Sequence, residues 1–252
     1  MTGRLAGRTA VITGVGSGMG RSIAERFAAE GAHVIGLEVN ETALNETVSS
    51  IQSSGGSASG HTVDISSSES VDAAVTALLD ANPSVDILVN NAGILDGYAT
   101  LADTDEKLWD RIIGIDLKGM FLMTRALMPT LQQSEHGAVV NTASIASMVA
   151  QGGGIAYTSA KHGVIGFTKA VAYDAGPKVR VNAVLPGAIE TGMTKDIFAN
   201  GDPALLSVVS GVPAGRYAQP EEVANAVLFL ASDEASFMYG SQVVVDGGWT
   251  IV

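Results

Sequence analysis

The chain contains no cysteine. Disulfides, thiolate metal sites and cysteine nucleophiles are excluded, and the usage is compatible with a cytosolic protein. Histidine is scarce. His33, His61, His136 and His162 are scattered with no His-x-x-x-His or related spacing, so metal catalysis is not expected. Positive charge is also sparse: 14 Lys+Arg face 26 Asp+Glu, for a net charge of −12. That balance offers no basic stripe to nucleic acid and argues against an obligatory partner that is itself strongly acidic. No uninterrupted apolar run is long enough to span a bilayer, and Met1–Arg8 lacks the apolar stretch of a signal peptide. A cytoplasmic protein with a small-molecule substrate and no nucleic-acid or membrane partner is the expectation.

What is present is a dense globular composition, 46% hydrophobic and only 16% charged. The 252 residues fit one large α/β domain. Apolar β-prone runs occur at Thr9–Thr13, His33–Leu37, Ser59–Asp64, Ile87–Asn90, Ala138–Thr142, Arg180–Leu185 and Gln242–Asp246. Amphipathic stretches lie between them at Met19–Glu30, Glu41–Ser53, Ser68–Ala81, Asp105–Leu131, Tyr157–Ala175 and Pro220–Ala231. Such alternation predicts a doubly wound, seven-stranded parallel sheet of Rossmann type with helices on both faces. Ala188–Gly215, which contains Gly201-Asp202-Pro203, reads as an insertion that could cover a pocket.

The first strand runs into Thr13-Gly14-Val15-Gly16-Ser17-Gly18-Met19-Gly20, and a helix follows. Glycines let a backbone approach a pyrophosphate, and the helix N-terminus supplies N–H donors and positive dipole. The Gly-x-Gly-x-x-Gly spacing fails, because its third glycine would fall on Met19. Thr-Gly-x-x-x-Gly-x-Gly fits, through Gly14, Gly18 and Gly20. Glu38 ends the second strand, where a carboxylate can hold both ribose hydroxyls of an adenosine and repel a 2′-phosphate. Ser17 and Val39, where a basic group could rescue NADP, are uncharged. NAD is the expected cofactor.

Tyr157 and Lys161 are four apart, which on a helix stacks them on one face. Ser144 follows the run Ala138–Thr142. A hydroxyl at a strand end, facing a phenol and an ammonium, suits moving a proton on and off an oxygen. The ammonium is expected to lower the phenol pKa. Moving it from about 10 towards 7 needs roughly 4 kcal/mol of differential stabilisation.

Taken in order, Thr13-Gly14-x-x-x-Gly18-x-Gly20, Asp64, Asn90-Asn91-Ala92-Gly93, Ser144, Tyr157-x-x-x-Lys161, Pro186-Gly187 with Thr191, and Val245-Asp246-Gly247-Gly248 resemble the compact, single-domain short-chain dehydrogenases/reductases over nearly the whole chain. The resemblance implies that Gly14, Ser17, Met19 and Gly20 surround the cofactor phosphates, with Gly18 in the same turn. Asp64 and Ile65 would contact the adenine, and Asn91, Ala92 and Gly93 would line the cofactor. Pro186, Gly187, Ile189 and Thr191 would pack around the nicotinamide. It further implies that Ser144 bonds the substrate oxygen, that Tyr157 is the general acid/base, and that Lys161 holds the nicotinamide ribose and tunes Tyr157. The implied assembly is a homotetramer.

One position departs from the pattern: Asp116-Leu117-Lys118-Gly119 stands where the family usually has asparagine. In the family that residue helps kink its helix and hold a water chain to the lysine. Asp116 is thus a candidate for the proton relay, and its carboxylate would favour charged Lys161.

The implied reaction is reversible hydride transfer between NAD and a secondary alcohol or ketone. A substrate wall is expected from Ile94, Leu95 and Asp96, from Ile145, Met148 and Gln151, and from Met193, Ile197 and Phe198. Most are apolar, which fits a hydrophobic substrate; Asp96 could bind a cationic group or be merely solvated. A 3-oxoacyl-thioester reductase is the alternative enzyme reading. A nucleotide-sensing regulator would be expected to lose Tyr157 or Lys161.

Overall fold

A computed structural model describes residues 3–192 and 211–251, with the backbone alone at Gln151. The strands are β1 (Thr9–Thr13), β2 (His33–Glu38), β3 (Ser57–Thr62), β4 (Ile87–Asn90), β5 (Ala138–Thr142), β6 (Arg180–Pro186) and β7 (Gln242–Val245). They form one sheet in the order β3-β2-β1-β4-β5-β6-β7, with every neighbouring pair parallel. Among the described residues the α-helices are α1 (Gly18–Ala29), α2 (Glu41–Ser53), α3 (Ser68–Ala81), α4 (Glu106–Ile113), α5 (Met120–Leu131), α6 (Ile155–Ala175) and α7 (Pro220–Ala231). This is the doubly wound parallel sheet that the alternation predicts. No described helix is long and apolar enough to cross a membrane.

The two-residue period of a strand sorts its side chains between two helical layers. Ala10 and Ile12 of β1 and Val140 of β5 pack with Phe27 of α1 and Val227 of α7. Val11, Leu88 and Val139 point the other way, onto Leu78 of α3 and Leu127 of α5. Both faces of the central strands are covered, so β5 and β6 are buried at every position. That is why they read as nearly continuous apolar runs.

The strand order positions the site. β1 and β4 are neighbours, although β2 and β3 separate them in sequence. Their connections leave the carboxyl ends in opposite directions, and a crevice opens there, between Gly14 and Asn91. Beneath it runs a buried polar chain. Asn90 Nδ2 donates to Thr124 Oγ1 and to Asn141 Oδ1, each at 2.9 Å. Asn141 Nδ2 donates to Thr168 Oγ1, also at 2.9 Å. The chain ties β4, β5, α5 and α6 together with directional bonds where apolar packing alone would let them slide.

Three differences from the sequence reading stand out. β3 covers Ser57–Thr62, two residues earlier than expected. Its register against β2, His33 to Ser57 through Glu38 to Thr62, sets the ends, whereas its serines and glycine carry little apolar signal. The expected single helix Asp105–Leu131 is interrupted by a π-helical turn at Gly114–Gly119. Residues 193–210 of the expected covering segment lie outside the described residues, and with them Met193, Ile197 and Phe198.

Asn141→Leu keeps volume but leaves Thr168 and one Asn90 donor without their partner. It is expected to cost about 1–3 kcal/mol, read as a lower urea midpoint at unchanged slope.

Candidate active site

The glycine turn forms the floor of the crevice. Gly14 (φ +71°) and Gly18 (φ +51°) are left-handed. A Cβ on Gly14 would approach the Ala92 Cα to 2.9 Å, and one on Gly20 would strike the Gly14 carbonyl. Thr13 locks the two strand ends together, its Oγ1 accepting from the Asn91 and Ala92 N–H groups at 3.0 Å. Glu38 closes the far end. Its Oε2 accepts from Gly16 N at 3.0 Å, and its Oε1 accepts from Val39 N at 2.9 Å and Asn40 N at 3.1 Å. Bare backbone, an uncapped Ser17 at the start of α1 and an anchored carboxylate suit a phosphate and a ribose.

The crevice encloses about 580 Å³ and is lined by Gly14, Ser17, Gly18, Met19, Gly20, Glu38, Asp64, Ile65, Asn91, Ala92, Gly93 and Thr191. It runs into a pocket of about 80 Å³ that holds Ser144, Tyr157, Lys161, Asp116, Pro186, Gly187 and Ile189; Met19, Asn91, Gly93 and Thr191 line both. Two buried oxygens of residues lining this pocket, Asn91 Oδ1 and Thr142 Oγ1, have no hydrogen-bond partner among the described residues. Buried polar atoms of this kind call for an external partner. The residues present therefore fit a dinucleotide laid from Glu38 to Tyr157.

At the inner end, Lys161 is 3% exposed and Asp116 fully buried. Lys161 Nζ pairs with Asp116 Oδ2 at 3.1 Å and donates to the Thr142 carbonyl at 3.1 Å. It stands 5.4 Å from the centroid of the Tyr157 ring. The π turn aims Asp116 inward, as such turns often do at functional sites. The other carboxylate oxygen, Oδ1, accepts from Ile94 N at 2.9 Å. Gly93 must lack a side chain here, because a Cβ would sit 2.9 Å from Asp116 Oδ2.

The electrostatics correct one expectation. The Tyr157 phenol is pushed above its usual value, not lowered. Burial is the largest cause. Lys161 acts against it, Asp116 raises the value, Ser144 lowers it through a hydrogen bond, and Asp96 raises it. The spacing argument counted the ammonium and omitted both the desolvation and the carboxylate beside it. Lys161 itself is raised: burial is the largest single influence and works against its charge, but the charge and hydrogen bond of Asp116 together with Tyr157 outweigh it. Burial raises Asp116 despite Lys161.

Among the described residues the expected substrate wall is only partly assembled. Ile94 lines the nucleotide crevice, Leu95 is half-buried, Met148 is exposed, and Ile145 is buried and lines neither pocket. Asp96 is neither solvated nor a wall residue. Both its oxygens accept from backbone N–H groups, including Tyr157 N at 2.9 Å. Sequence reasoning missed Arg111, which reaches the crevice from α4, and the carbonyl of Thr142. No spacing signal connects either to the site. Among the described residues no group of three His, Asp or Glu could hold a metal.

A family model described as enoyl-(acyl carrier protein) reductase matches residues 14–250. The cyclopentanol dehydrogenase of a Comamonas species is 40% identical over 98% of this chain and 99% of its own length. A 3-oxoacyl-[acyl-carrier-protein] reductase of Thermotoga maritima is 36% identical over 98% and 100%. The crystal structure of levodione reductase superposes with a TM-score of 0.93 at 32% identity, covering 98% and 99%. That of a putative gluconate 5-dehydrogenase from Beutenbergia cavernae, described with bound NADP at low occupancy, gives 0.92 at 36%, covering 98% of each chain. The chain belongs to the short-chain dehydrogenase/reductase family. Its members are oxidoreductases that use a nicotinamide cofactor.

Asp116→Asn removes a negative charge that disfavours the phenolate, so the Tyr157 pKa is expected to fall. Lys161 loses its main counter-charge and falls with it. Titration by tyrosinate absorbance, taken as the difference from Tyr157→Phe, reads the shift; an unmoved curve removes the Asp116 charge from the account.

Proposed function

We propose that the protein is an NAD-dependent dehydrogenase interconverting a hydrophobic, alicyclic secondary alcohol and its ketone. The observation that carries the reaction type is the single cluster of Ser144, Tyr157, Lys161 and Asp116 at the inner end of a glycine-cradled crevice. The nicotinamide, when bound, supplies the hydride acceptor or donor. Gly14, Gly18 and Gly20 would give its phosphates close access to backbone. Asp64 and Ile65 would hold the adenine, while Pro186, Gly187, Ile189 and Thr191 would hold the nicotinamide end. In the oxidative direction Tyr157 first gives up its own proton through the Lys161 path, and the resulting phenolate takes the hydroxyl proton while Ser144 donates to the developing alkoxide. Burial makes the isolated phenolate unfavourable, so Lys161 is needed to hold that charge until the hydroxyl proton arrives. Lys161 then passes the proton toward Asp116 and solvent.

Glu38 supports NAD. With both oxygens held by backbone N–H groups, its charge stays where a 2′-phosphate would fall. The NADP seen in related structures weighs the other way for those proteins. The alicyclic substrate class rests on the likeness to cyclopentanol and cyclohexanol dehydrogenases. Reduction of a 3-oxoacyl thioester is the second reading, favoured by the similarity to 3-oxoacyl-[acyl-carrier-protein] reductases. We read the chain as a cytoplasmic single domain. We also read it as a homotetramer, a state supported by exposed Phe121 on α5, Tyr173 on α6 and Ile251 at the chain end and measurable by light scattering.

The test compares NAD with NADP on cyclopentanol and cyclohexanol, and NADH with NADPH on an acetoacetyl thioester. Turnover of the alcohols with NAD at least tenfold above NADP is expected; NADPH-dependent thioester reduction alone would sink the proposal. Tyr157→Phe should lose more than a thousandfold in kcat with NAD affinity unchanged by calorimetry. Near-normal turnover in that variant would refute its role.

A further inference from the structure

The loop after β4 carries a tight turn that the hydride chemistry does not explain. In Asp96-Gly97-Tyr98-Ala99 the Ala99 N–H donates to the Asp96 carbonyl at 3.3 Å. Both central residues are left-handed, Gly97 at φ +66° and Tyr98 at φ +59°. Two successive positive φ angles define a turn that favours glycine, asparagine or aspartate at both central places. A bulky side chain there is an outlier. Among the described residues Tyr98 is the one non-glycine with positive φ, and strain of this kind clusters at functional sites.

The turn is also sewn to the start of α6. Asp96 is 5% exposed. Its Oδ1 accepts from Tyr98 N at 3.2 Å and Gly154 N at 2.9 Å, and its Oδ2 accepts from Tyr157 N at 2.9 Å. The Ala99 carbonyl accepts from Ile155 N at 3.2 Å. A helix leaves its first N–H groups without internal partners. Here the cap residue Gly154 has no side chain to help, and a carboxylate 58 residues upstream takes its place. That carboxylate also lies at the positive end of the helix dipole. The fit is close, since a Cβ on Gly154 would come within 2.6 Å of both Asp96 Oδ2 and Ala99 N.

Tyr157 belongs to the first turn of α6, so whatever sets that turn sets the phenol. The Tyr98 side chain stands partly exposed beside it. The two phenols are near enough that ionisation of Tyr157 opposes that of Tyr98. Apolar Met148 and Ile155 are exposed in the neighbouring segments.

We propose that Asp96 is the positioning residue for Tyr157, and that the strained turn it anchors holds Tyr98 against the substrate as a specificity residue. The Tyr98 ring packs on the carbon skeleton of the alcohol or ketone, a role that rests on the substrate class proposed above.

Three variants test this. Tyr98→Gly suits the left-handed backbone better, so its thermal midpoint should hold or rise. Its KM for cyclohexanol should rise at least tenfold while NAD affinity stays the same, and Tyr98→Phe should recover most of that loss. A wild-type KM in Tyr98→Gly overturns the specificity role, as does a fall in midpoint together with activity. Asp96→Asn keeps the shape but removes the charge and one accepting oxygen. It should lower kcat about tenfold with KM changed less than threefold.

The groups facing the Tyr157 phenol are Lys161 on its own helix, Asp116 on the π turn, Ser144 after β5, and Asp96 and Tyr98 on the turn. Losing the Asp96 charge should therefore move the tyrosinate titration to lower pH, which a purely structural bond would not do. Unchanged kcat, or an unmoved titration, overturns the positioning role. If the wild-type enzyme reduces acetoacetyl thioester and ignores both alcohols, the alicyclic reading fails; Tyr98 is then judged on the thioester KM, and Asp96 on the titration and the thioester kcat.

Discussion

A buried ion pair organises the reactive end of this molecule. Lys161, almost without solvent contact, needs a counter-charge to remain an ammonium, and Asp116 supplies it at 3.1 Å. Removing two charges from water costs several kcal/mol per ion unless the pair is well placed and otherwise bonded. The surroundings meet that demand. Thr142 accepts from the lysine, Ile94 donates to the carboxylate, and Gly93 keeps its place clear. The π turn is the backbone's accommodation of the same pair, since it brings Asp116 in from an otherwise regular helix.

The pair also defines how Tyr157 works. Lys161 shares its charge between the Asp116 carboxylate, itself raised by burial, and a phenol whose ionisation burial opposes. In the proposed reductive direction such a phenol would keep its proton until a substrate oxygen took it. Precision then depends on where the first turn of α6 stands. Asp96 fixes that turn from outside the helix, and the buried Asn90–Asn141–Thr168 chain fixes its body against the sheet. Rigid elements hold the clustered polar groups, while the neighbouring Gly97-Tyr98 turn is strained; in the reading proposed above that turn faces the substrate. One fold can thus serve many substrates through its loops.

Much of this was legible in the residues. Strands with strong apolar runs, β1, β4 and β5, have the ends that their patterns predict, because burial on both faces leaves a continuous signal. Helices α2 and α3 likewise begin and end where their amphipathic stretches predict, and Asn40 and Ser67 cap their starts. The edge strand β3 did not, because its partners and not its side chains decide its limits. Asp96 was misjudged for a related reason. A carboxylate beside Gly97 looks solvated in one dimension, and nothing local announces a partner 61 residues downstream.

The sequence by itself determined the alternation of strands and helices, the glycine cradle and the proximity of Tyr157 to Lys161. Each of these depends on residues near one another along the chain, through periodicity, left-handed backbone or helical spacing. Only the tertiary structure decided the charge balance around the phenol, the inward turn of Asp116 and the remote capping of α6 by Asp96. Those properties depend on burial and on contacts between elements far apart in sequence. Desolvation in particular has no one-dimensional signature, which is why the phenol is raised where spacing alone pointed to a lowered one.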